Sequence, residues 1–217
     1  MGSLFDQLQA VSLPNVFNPW RDVDALDIHG EDAPAGRLER LRQHFTGHPT
    51  LLLVGEAPGY QGCRFTGVPF TSEALVCAGS IPRVPAIARL TTRPLPWSEP
   101  SARIVWKALY EHRVAESTVL WNTFPFHPHR EWEPHSNRAP TAHEVDSQAD
   151  ILRAVVAQFP GVRVIAVGRI AEATLKRLHI GVAAALRHPS MGGAPAFRAG
   201  LREFLSQAAR SCASAPG

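Results

Sequence analysis

The chain has 217 residues, of which 45% are hydrophobic and 19% are charged, a composition typical of a globular domain with one substantial core. Its formal net charge of +3 excludes a strongly basic chromatin-type binder, and the mixture of residues excludes collagen, coiled coils and disordered tails. Two of the 22 basic residues are lysines, so arginine is the prevailing cation. Arginine suits phosphate recognition, although a GC-rich genome produces the same bias.

In chain order, the hydrophobic pattern predicts five helices and four strands. The predicted elements are a helix over Ala35–Phe45, a strand over Pro49–Val54, a loop over Ile81–Pro100, a helix over Ser101–His112, a strand over Ser117–Asn122, a helix over Ala142–Phe159, a strand over Val162–Val167, a helix over Ile170–His179, a strand over Gly181–Leu186 and a helix over Pro195–Ala209. Ser101 and Thr141 are the predicted N-caps. Strands that alternate with helices indicate a parallel sheet covered on both faces. We therefore predict one domain over residues 1–217, a three-layer α/β/α sandwich around a central, mainly parallel four-stranded sheet.

The three cysteines, Cys63, Cys77 and Cys212, are scattered and form no CxxC pair. They are too few for a four-cysteine iron–sulfur cluster, and we expect neither a metal nor a cofactor. An odd number of cysteines fits a reducing compartment better than a disulfide scaffold. The N-terminus lacks the pattern of a signal peptide, and no segment approaches the roughly 20 apolar residues of a membrane helix. We expect a cytoplasmic monomer without membrane contact.

Unusual residues gather where the predicted strands end. Gly55–Tyr60 follows the first strand, Asn122 ends the second, and His188–Ser190 follows the fourth. In open α/β sheets, ligands bind beyond the carboxyl ends of the strands. Each segment taken singly has an ordinary explanation as a tight turn, a turn-forming asparagine or a satisfied loop histidine. Their convergence on one edge predicts a single functional site.

Taken in this order, the segments resemble the uracil-DNA glycosylase superfamily. Leu51–Gly59, which ends in GEAPG, is similar to the first motif of the iron–sulfur-containing members. Gly67–Phe70, with Thr71–Glu73 behind it, resembles the segment whose phenylalanine stacks on the flipped base. Val119–Asn122 is similar to the strand that presents the base-reading asparagine, and His188–Ser190 resembles the second catalytic motif.

Two departures from the family pattern affect the expected chemistry. The cysteines that bind the cluster in iron–sulfur members are missing. The catalytic aspartate of the best-known branch falls at Ala57, whose methyl group cannot activate water. Glu56 is the acid of the first motif, and we expect its carboxylate either to position the water or to hydrogen-bond the loop that holds it.

The resemblance implies a monofunctional, metal-free glycosylase that acts on DNA containing uracil or other damaged bases. Such an enzyme extrudes the nucleotide into a pocket, stacks the base on an aromatic ring and stabilises the departing base anion with a histidine donor. The residues that the resemblance assigns are His188, Glu56 and Ala57 for catalysis, Gly55, Gly59, Tyr60, Phe70 and Asn122 for the base, and Arg64, Ser190, Met191 and Gly192 for DNA.

Gly59 bears on the range of bases. In the best-known branch an aromatic ring stands at this position and crowds the 5-carbon of the pyrimidine. Glycine removes that wall unless a neighbour such as Tyr60 replaces it. The resemblance therefore predicts activity on uracil first and weaker activity on a further lesion such as 5-hydroxymethyluracil, hypoxanthine or xanthine.

Other classes of function fit part of the sequence. A non-catalytic module that binds abasic or damaged DNA is favoured by the missing aspartate. A thiol hydrolase could combine Cys63 with His188, although the spacing does not specially favour it. A nucleotide-binding enzyme is disfavoured because no phosphate loop or ribose-binding acid is visible. A metal site is disfavoured because its candidate ligands lie in a proline-interrupted loop rather than on one helix face; they are His127, Glu131, Glu133, His129 and His135.

Overall fold

The structure is a computed structural model that describes residues 2–213. Met1 and residues 214–217 of the predicted domain lie outside the described residues, as does the side chain of Cys212. The helices and strands in chain order are α1 (Leu4–Ala10), β1 (Val16–Phe17), a short 3-10 helix (Gly30–Asp32), α2 (Ala33–His44), β2 (Leu51–Gly55), α3 (Cys63–Thr66), α4 (Glu73–Cys77), α5 (Pro100–Glu111), β3 (Thr118–Asn122), β4 (His127–Pro128), α6 (Ala142–Ser147), α7 (Ala149–Ala157), β5 (Arg163–Val167), α8 (Arg169–Arg177), β6 (Ala184–Leu186) and α9 (Ala194–Ala213).

The central sheet has four parallel strands in the order β3-β2-β5-β6, which confirms the predicted α/β class. β2 and β3 run in register to their last residues, so that Gly55 is paired with Asn122. β5 and β6 are paired to Val167 and Leu186. The loops that follow these four strands therefore leave the sheet at one edge, where ligands bind in folds of this kind.

Alternate side chains of each strand enter two separate cores, because successive residues of a strand point to opposite faces. One core joins α1, α2, α7 and α8 to one face of the sheet through residues such as Leu52 and Val54. The other joins α4, α5 and α9 to the opposite face through residues such as Leu51 and Leu53. These are the three predicted layers. Within residues 2–213, no helix combines the length and apolarity needed to cross a membrane.

The helix predictions need two corrections. Ser101 is not an N-cap, because α5 begins at Pro100 and its N-cap is Glu99. The helix predicted over Ala142–Phe159 is divided at Gln148 into α6 and α7. Thr141 is the N-cap of α6 as predicted, since its side chain accepts a hydrogen bond from the Glu144 N–H in a capping box.

Glu73 holds the long proline-rich loop in place. Its fully buried carboxylate accepts hydrogen bonds from the backbone N–H groups of Leu90, Thr91 and Trp97, and it is paired with the Arg89 guanidinium at 3.1 Å. Burial alone would raise the pKa of Glu73, but these donors hold it below its ordinary value of 4.5. The loop is thus fixed by an ionised group, although it contains neither helix nor strand. Its end leads into α5 at the edge of the sheet where the site lies.

Candidate active site

The ends of β2 and β3 bring three parts of the site into contact at Gly55. A Cβ atom built on Gly55 would lie 2.4 Å from the Phe70 ring and 2.7 Å from Asn122 Oδ1. Real Cβ atoms do not approach other atoms so closely, so a side chain at this position would displace both groups. The glycine of the first motif is therefore required because the aromatic ring and the amide pack directly on its α-carbon.

Asn122 presents an unpaired amide. The residue is only 2% exposed, and it lines a cavity of the described structure. Within residues 2–213 its side-chain amide makes no hydrogen bond, although buried polar groups in proteins are nearly always hydrogen-bonded. A turn-forming or capping asparagine would bond to nearby backbone. The amide of Asn122 is instead available to a ligand in the cavity.

Phe70 is held in an unfavourable backbone conformation. Its φ angle is 50°, a region that costs a bulky residue on the order of 1–2 kcal/mol. The Trp106 indole N–H donates a hydrogen bond to the Phe70 carbonyl oxygen at 3.0 Å and fixes this turn. As a result the Phe70 ring lies between Gly55 and the His188 ring, whose centroid is 6.2 Å away.

His188 is oriented by its own motif. The Ser190 backbone N–H donates to His188 Nδ1 at 3.2 Å, and the Ser190 hydroxyl lies 2.7 Å from the same atom. Because Nδ1 accepts, the proton of the neutral ring is on Nε2, which is left as a donor. Burial, and secondarily the positive charge of Arg187, lower the pKa of His188 below its ordinary value of 6.5. The ring is therefore a neutral donor at neutral pH.

Around these groups lies a cavity of about 640 Å³, within the usual size range of ligand pockets. Glu56, Ala57 and Gly59 line it together with Phe70, Asn122 and His188. Burial raises the pKa of Glu56 above its ordinary value of 4.5. Among the described residues the Glu56 carboxylate makes no hydrogen bond or ion pair, so it does not tie down its own loop. The Glu56 carbonyl does that, by accepting from the Phe124 N–H at 2.9 Å.

The cavity has two polar walls that the sequence analysis missed. The Glu99 carboxyl accepts a hydrogen bond from the Ser101 hydroxyl at 2.7 Å, and burial raises its pKa above 4.5. Its other oxygen lies over Gly62, where a Cβ atom would be 2.0 Å away. The Asn137 amide stands beside Gly59, 3.5 Å from where a Cβ atom would lie. Neither residue is part of a motif, and both arrive on loops far away in sequence.

Tyr60 does not supply the wall that Gly59 lacks. Its ring packs at 5.3 Å against the Trp97 ring and at 6.4 Å against the His135 ring, and it is not among the residues that line the cavity. The expectation that Tyr60 contacts the base is therefore corrected. Its backbone N–H has a local role, since it donates to Asn137 Oδ1 at 3.0 Å.

Arg64 is likewise too buried in this structure to reach a DNA phosphate. The residue is 3% exposed, and its guanidinium donates to Asp24 Oδ2 at 2.6 Å and to His127 Nδ1 at 3.0 Å. Although burial alone would raise the pKa of Asp24, the Leu26 N–H and Arg64 hold it below 3.8. Arg64 thus joins α3 to β4 and to the loop before α2.

The residues after His188 form an exposed rim. Met191 lines the cavity yet is 92% exposed, with a φ of 50°. Gly192 has a φ of 74° and open space around it. A second cavity of about 260 Å³ shares His188 and Ser190 with the first and is bordered by Arg169 and Arg187. Both arginines are exposed, and neither makes an ion pair or hydrogen bond within residues 2–213. The rim therefore combines exposed apolar surface with free positive charge.

The thiol and metal hypotheses lose their support. Cys63 is 1% exposed, and burial, with the charge of Glu99, raises the pKa of its thiol far above the ordinary value. A thiol held protonated is a poor nucleophile. Of the loop histidines, His127 is held between Arg64 and the Ser136 carbonyl, and His135 is bonded to Asp24. Within residues 2–213, no group of three or more possible ligands is arranged to hold a metal ion.

Comparisons with known proteins agree on the fold. Residues 43–205 match the family model described as the Uracil DNA glycosylase superfamily. Among solved structures, the crystal structure of wild-type SMUG2 from Pedobacter heparinus is similar, with a TM-score of 0.64 and 15% sequence identity, over 97% of this chain and 99% of that chain. At this identity the likeness is one of fold. A search of curated protein sequences gives no match.

We expect Arg64→Met to lower the free energy of unfolding by about 3–5 kcal/mol, because it removes the buried guanidinium that is paired with the buried Asp24 carboxylate. Urea unfolding followed by circular dichroism measures the change. The matched control is Arg153→Met, which removes a pair with an exposed Asp150 and is expected to cost at most about 1 kcal/mol. Equal stabilities of the two variants would contradict a supporting role for Arg64.

Proposed function

The chain belongs to the uracil DNA glycosylase superfamily, and we propose that it is a monofunctional DNA glycosylase that extrudes uracil from DNA and hydrolyses its N-glycosidic bond in base excision repair. The observation that carries the proposal is the Asn122 amide, buried and unpaired beside an aromatic ring. An asparagine amide matches the N3–H donor and O4 acceptor of uracil. In the amide orientation that pairs with uracil, cytosine would leave both groups unsatisfied, at about 1–3 kcal/mol for each buried group.

The proposed reaction begins with base flipping, since the bond to the sugar is inaccessible within the DNA helix. The extruded uracil stacks on Phe70 and hydrogen-bonds to Asn122. As the bond breaks, negative charge develops on the uracil ring, largely at O2 and N1. The Nε2–H of neutral His188 donates to O2 and stabilises that charge, as an oxyanion-hole donor does. The sugar becomes oxocarbenium-like, as in glycoside hydrolysis, and water attacks it from the other face.

Glu56 is the group that we assign to the water. Its carboxylate borders the cavity and has no other partner among the described residues. Its raised pKa makes it a better proton acceptor than an ordinary carboxylate at neutral pH. Ala57, which stands where the best-known branch has its aspartate, offers no acceptor. Glu56 is therefore the proposed replacement.

DNA is the proposed partner because the rim suits a polyanion with a displaced base. Arg169 and Arg187 are free to contact phosphates on either side of the extruded nucleotide. Met191 is exposed in a conformation that disfavours a large residue, and it is placed to enter the gap left in the base stack. Gly192 beside it lets the backbone approach the DNA closely.

The base range follows from Gly59. The space over Gly59 is bounded by the amide of Asn137 at ordinary contact distance rather than by an aromatic ring. We propose that the pocket accepts uracil first and, more slowly, a base with a substituent at the 5-carbon or a deaminated purine.

Release of free base tests the proposal directly. Oligonucleotides carrying uracil, hypoxanthine, xanthine or a thymine mispair are incubated with the protein, and the abasic product is cleaved by alkali. We expect abasic product from uracil first. A gel shift without abasic product would favour the alternative that the missing aspartate supports, a module that only binds damaged DNA.

Replacing His188 with alanine is expected to lower the single-turnover rate of uracil release by about 10²–10³-fold, because a transition-state donor is lost. Affinity for the same DNA is expected to change little, since the donor acts on charge that develops during cleavage. His143→Ala, at an exposed position on α6, is the matched control. The wild-type rate should also decline as the pH falls through the lowered pKa of His188, because protonation of Nδ1 breaks the bond from the Ser190 N–H. An unchanged rate in His188→Ala would remove this residue from the mechanism.

The change Asn122→Asp is expected to reduce discrimination between uracil and cytosine. A carboxylate accepts hydrogen bonds but cannot donate one to O4 of uracil, whereas it can accept from the amino group of cytosine. Competition between the two bases in matched oligonucleotides measures the ratio of their cleavage rates. Asn15→Asp, an exposed amide, is the control. If the ratio is untouched in Asn122→Asp, the residue does not read the base.

Gly59→Tyr is expected to narrow the base range while part of the uracil activity remains, because the new ring restores a wall beside the Asn137 amide. The ratio of xanthine or 5-hydroxymethyluracil release to uracil release is the measurement. Gly181→Tyr, where a Cβ atom would meet open space, is the control for the added aromatic group. Wild-type activity on uracil alone across the panel would show that another side chain closes the pocket.

A further inference from the structure

Trp132 is an indole almost entirely in solvent. It is 90% exposed, a value matched among large apolar residues only by Met191 at 92% within the described exposures. Its φ angle is 62°, in the left-handed region. Two features disfavour tryptophan at this position: its large apolar side chain is exposed to water, and its backbone is strained. Glycine would remove both costs, because it has no side chain and tolerates a positive φ. An unfavourable residue at a strained position indicates a role in binding.

The turn that carries Trp132 is firmly braced. Arg130 and Glu133 form a backbone bridge and a salt bridge of 2.8 Å on either side of it. The Ser136 hydroxyl accepts from the Arg130 N–H at 2.9 Å, and the Ser136 N–H donates to the Glu133 carbonyl oxygen at 3.0 Å. The indole is therefore presented on a fixed support rather than on a loose loop.

The same loop forms part of the cavity wall. Asn137, Arg138 and Ala139 follow the turn and line the cavity. Trp132 precedes Asn137 by five residues, a separation of at most about 18 Å even in extended chain. At about 3.4 Å per nucleotide of a strand, this largest separation of the two α-carbons corresponds to about five nucleotides.

The chemistry around the indole favours a base over a phosphate. Glu131 is exposed beside it and repels the sugar-phosphate backbone, while the Glu133 carboxylate is neutralised by Arg130. An indole offers a flat apolar face on which any nucleobase stacks, and such stacking is independent of sequence. Bases are open to such a contact where the strand is unpaired.

We propose that Trp132 is a second base-stacking platform, which holds an unpaired base of the substrate strand close to the pocket. This inference rests on the proposed action on DNA and deepens it, because it names locally opened or single-stranded DNA as the preferred form. Met191 then fills the gap at one rim of the cavity, while Trp132 secures a neighbouring base at the loop that forms another wall.

The test uses uracil-free single-stranded DNA, so that it does not depend on cleavage. Fluorescence anisotropy of a labelled thymine oligonucleotide gives the affinity of the wild type and of Trp132→Ala, Trp132→Phe and Trp132→Gly. We expect Trp132→Ala and Trp132→Gly to bind about 5- to 150-fold more weakly and Trp132→Phe to retain most of the affinity. Thermal unfolding of Trp132→Gly should occur no lower than that of the wild type. Tyr110→Ala, another exposed aromatic, is the control and should bind normally.

A spectroscopic readout separates stacking from an indirect effect. The emission of the wild type minus that of Trp132→Phe reports on this indole, and DNA should quench it. Wild-type affinity in Trp132→Ala, or an unquenched difference spectrum, would overturn the inference. The exposed indole would then be assigned to contact with another protein instead of DNA. Suppose that DNA quenches the indole and that Trp132→Ala binds DNA more weakly, but no oligonucleotide loses a base. The stacking role of Trp132 is then supported, and the proposed glycosylase activity is wrong.

Discussion

The site depends on one steric constraint, the missing side chain at Gly55. Parallel pairing carries β2 and β3 to a common end, where Gly55 faces Asn122. Only a bare α-carbon lets the Phe70 ring and the Asn122 amide meet there, since any Cβ atom would lie within 2.7 Å of both. The flat face and the hydrogen-bonding edge that a pyrimidine requires are thus brought together by the end of the sheet. His188 joins them from the loop after β6.

Buried charges hold the loops that complete the site. Glu73 fixes the proline-rich loop through backbone donors, and the Arg64–Asp24 pair joins α3 to the loop before α2. Such pairs stabilise little in themselves, but loss of one partner leaves an uncompensated buried charge. Arginine in this protein therefore has two separate roles. Arg64 forms a buried structural pair, whereas Arg169 and Arg187 are exposed at the rim and make no ion pair with any described residue.

Local sequence predicted the sheet and the convergence of motifs, because apolar strand runs and the parallel topology determine where strands end. Local sequence did not predict the positions of side chains that are fixed by contacts with residues distant in the chain. Arg64 was expected at the surface, yet Asp24, distant in sequence, buries it. Tyr60 was expected to contact the base, yet its ring packs against the Trp97 ring. Glu99 arrives on a loop without periodicity, and its place over Gly62 depends on the fold of that loop. No pattern in the sequence marks such a residue.

Backbone strain links these features to the proposed function. Phe70, Trp132 and Met191 are large apolar residues with positive φ angles of 50°, 62° and 50°, and a positive φ is rare for such residues. Phe70 and Met191 line the cavity, and Trp132 is on the loop whose later residues also line it. Residues in sparsely populated backbone regions persist only where surrounding contacts enforce them, and they concentrate at ligand-binding positions. The Trp106 bond to Phe70 and the Arg130–Glu133 bridge are such contacts. Under the proposed function, stability is given up at these three positions so that two aromatic faces and the Met191 side chain are held in place for DNA.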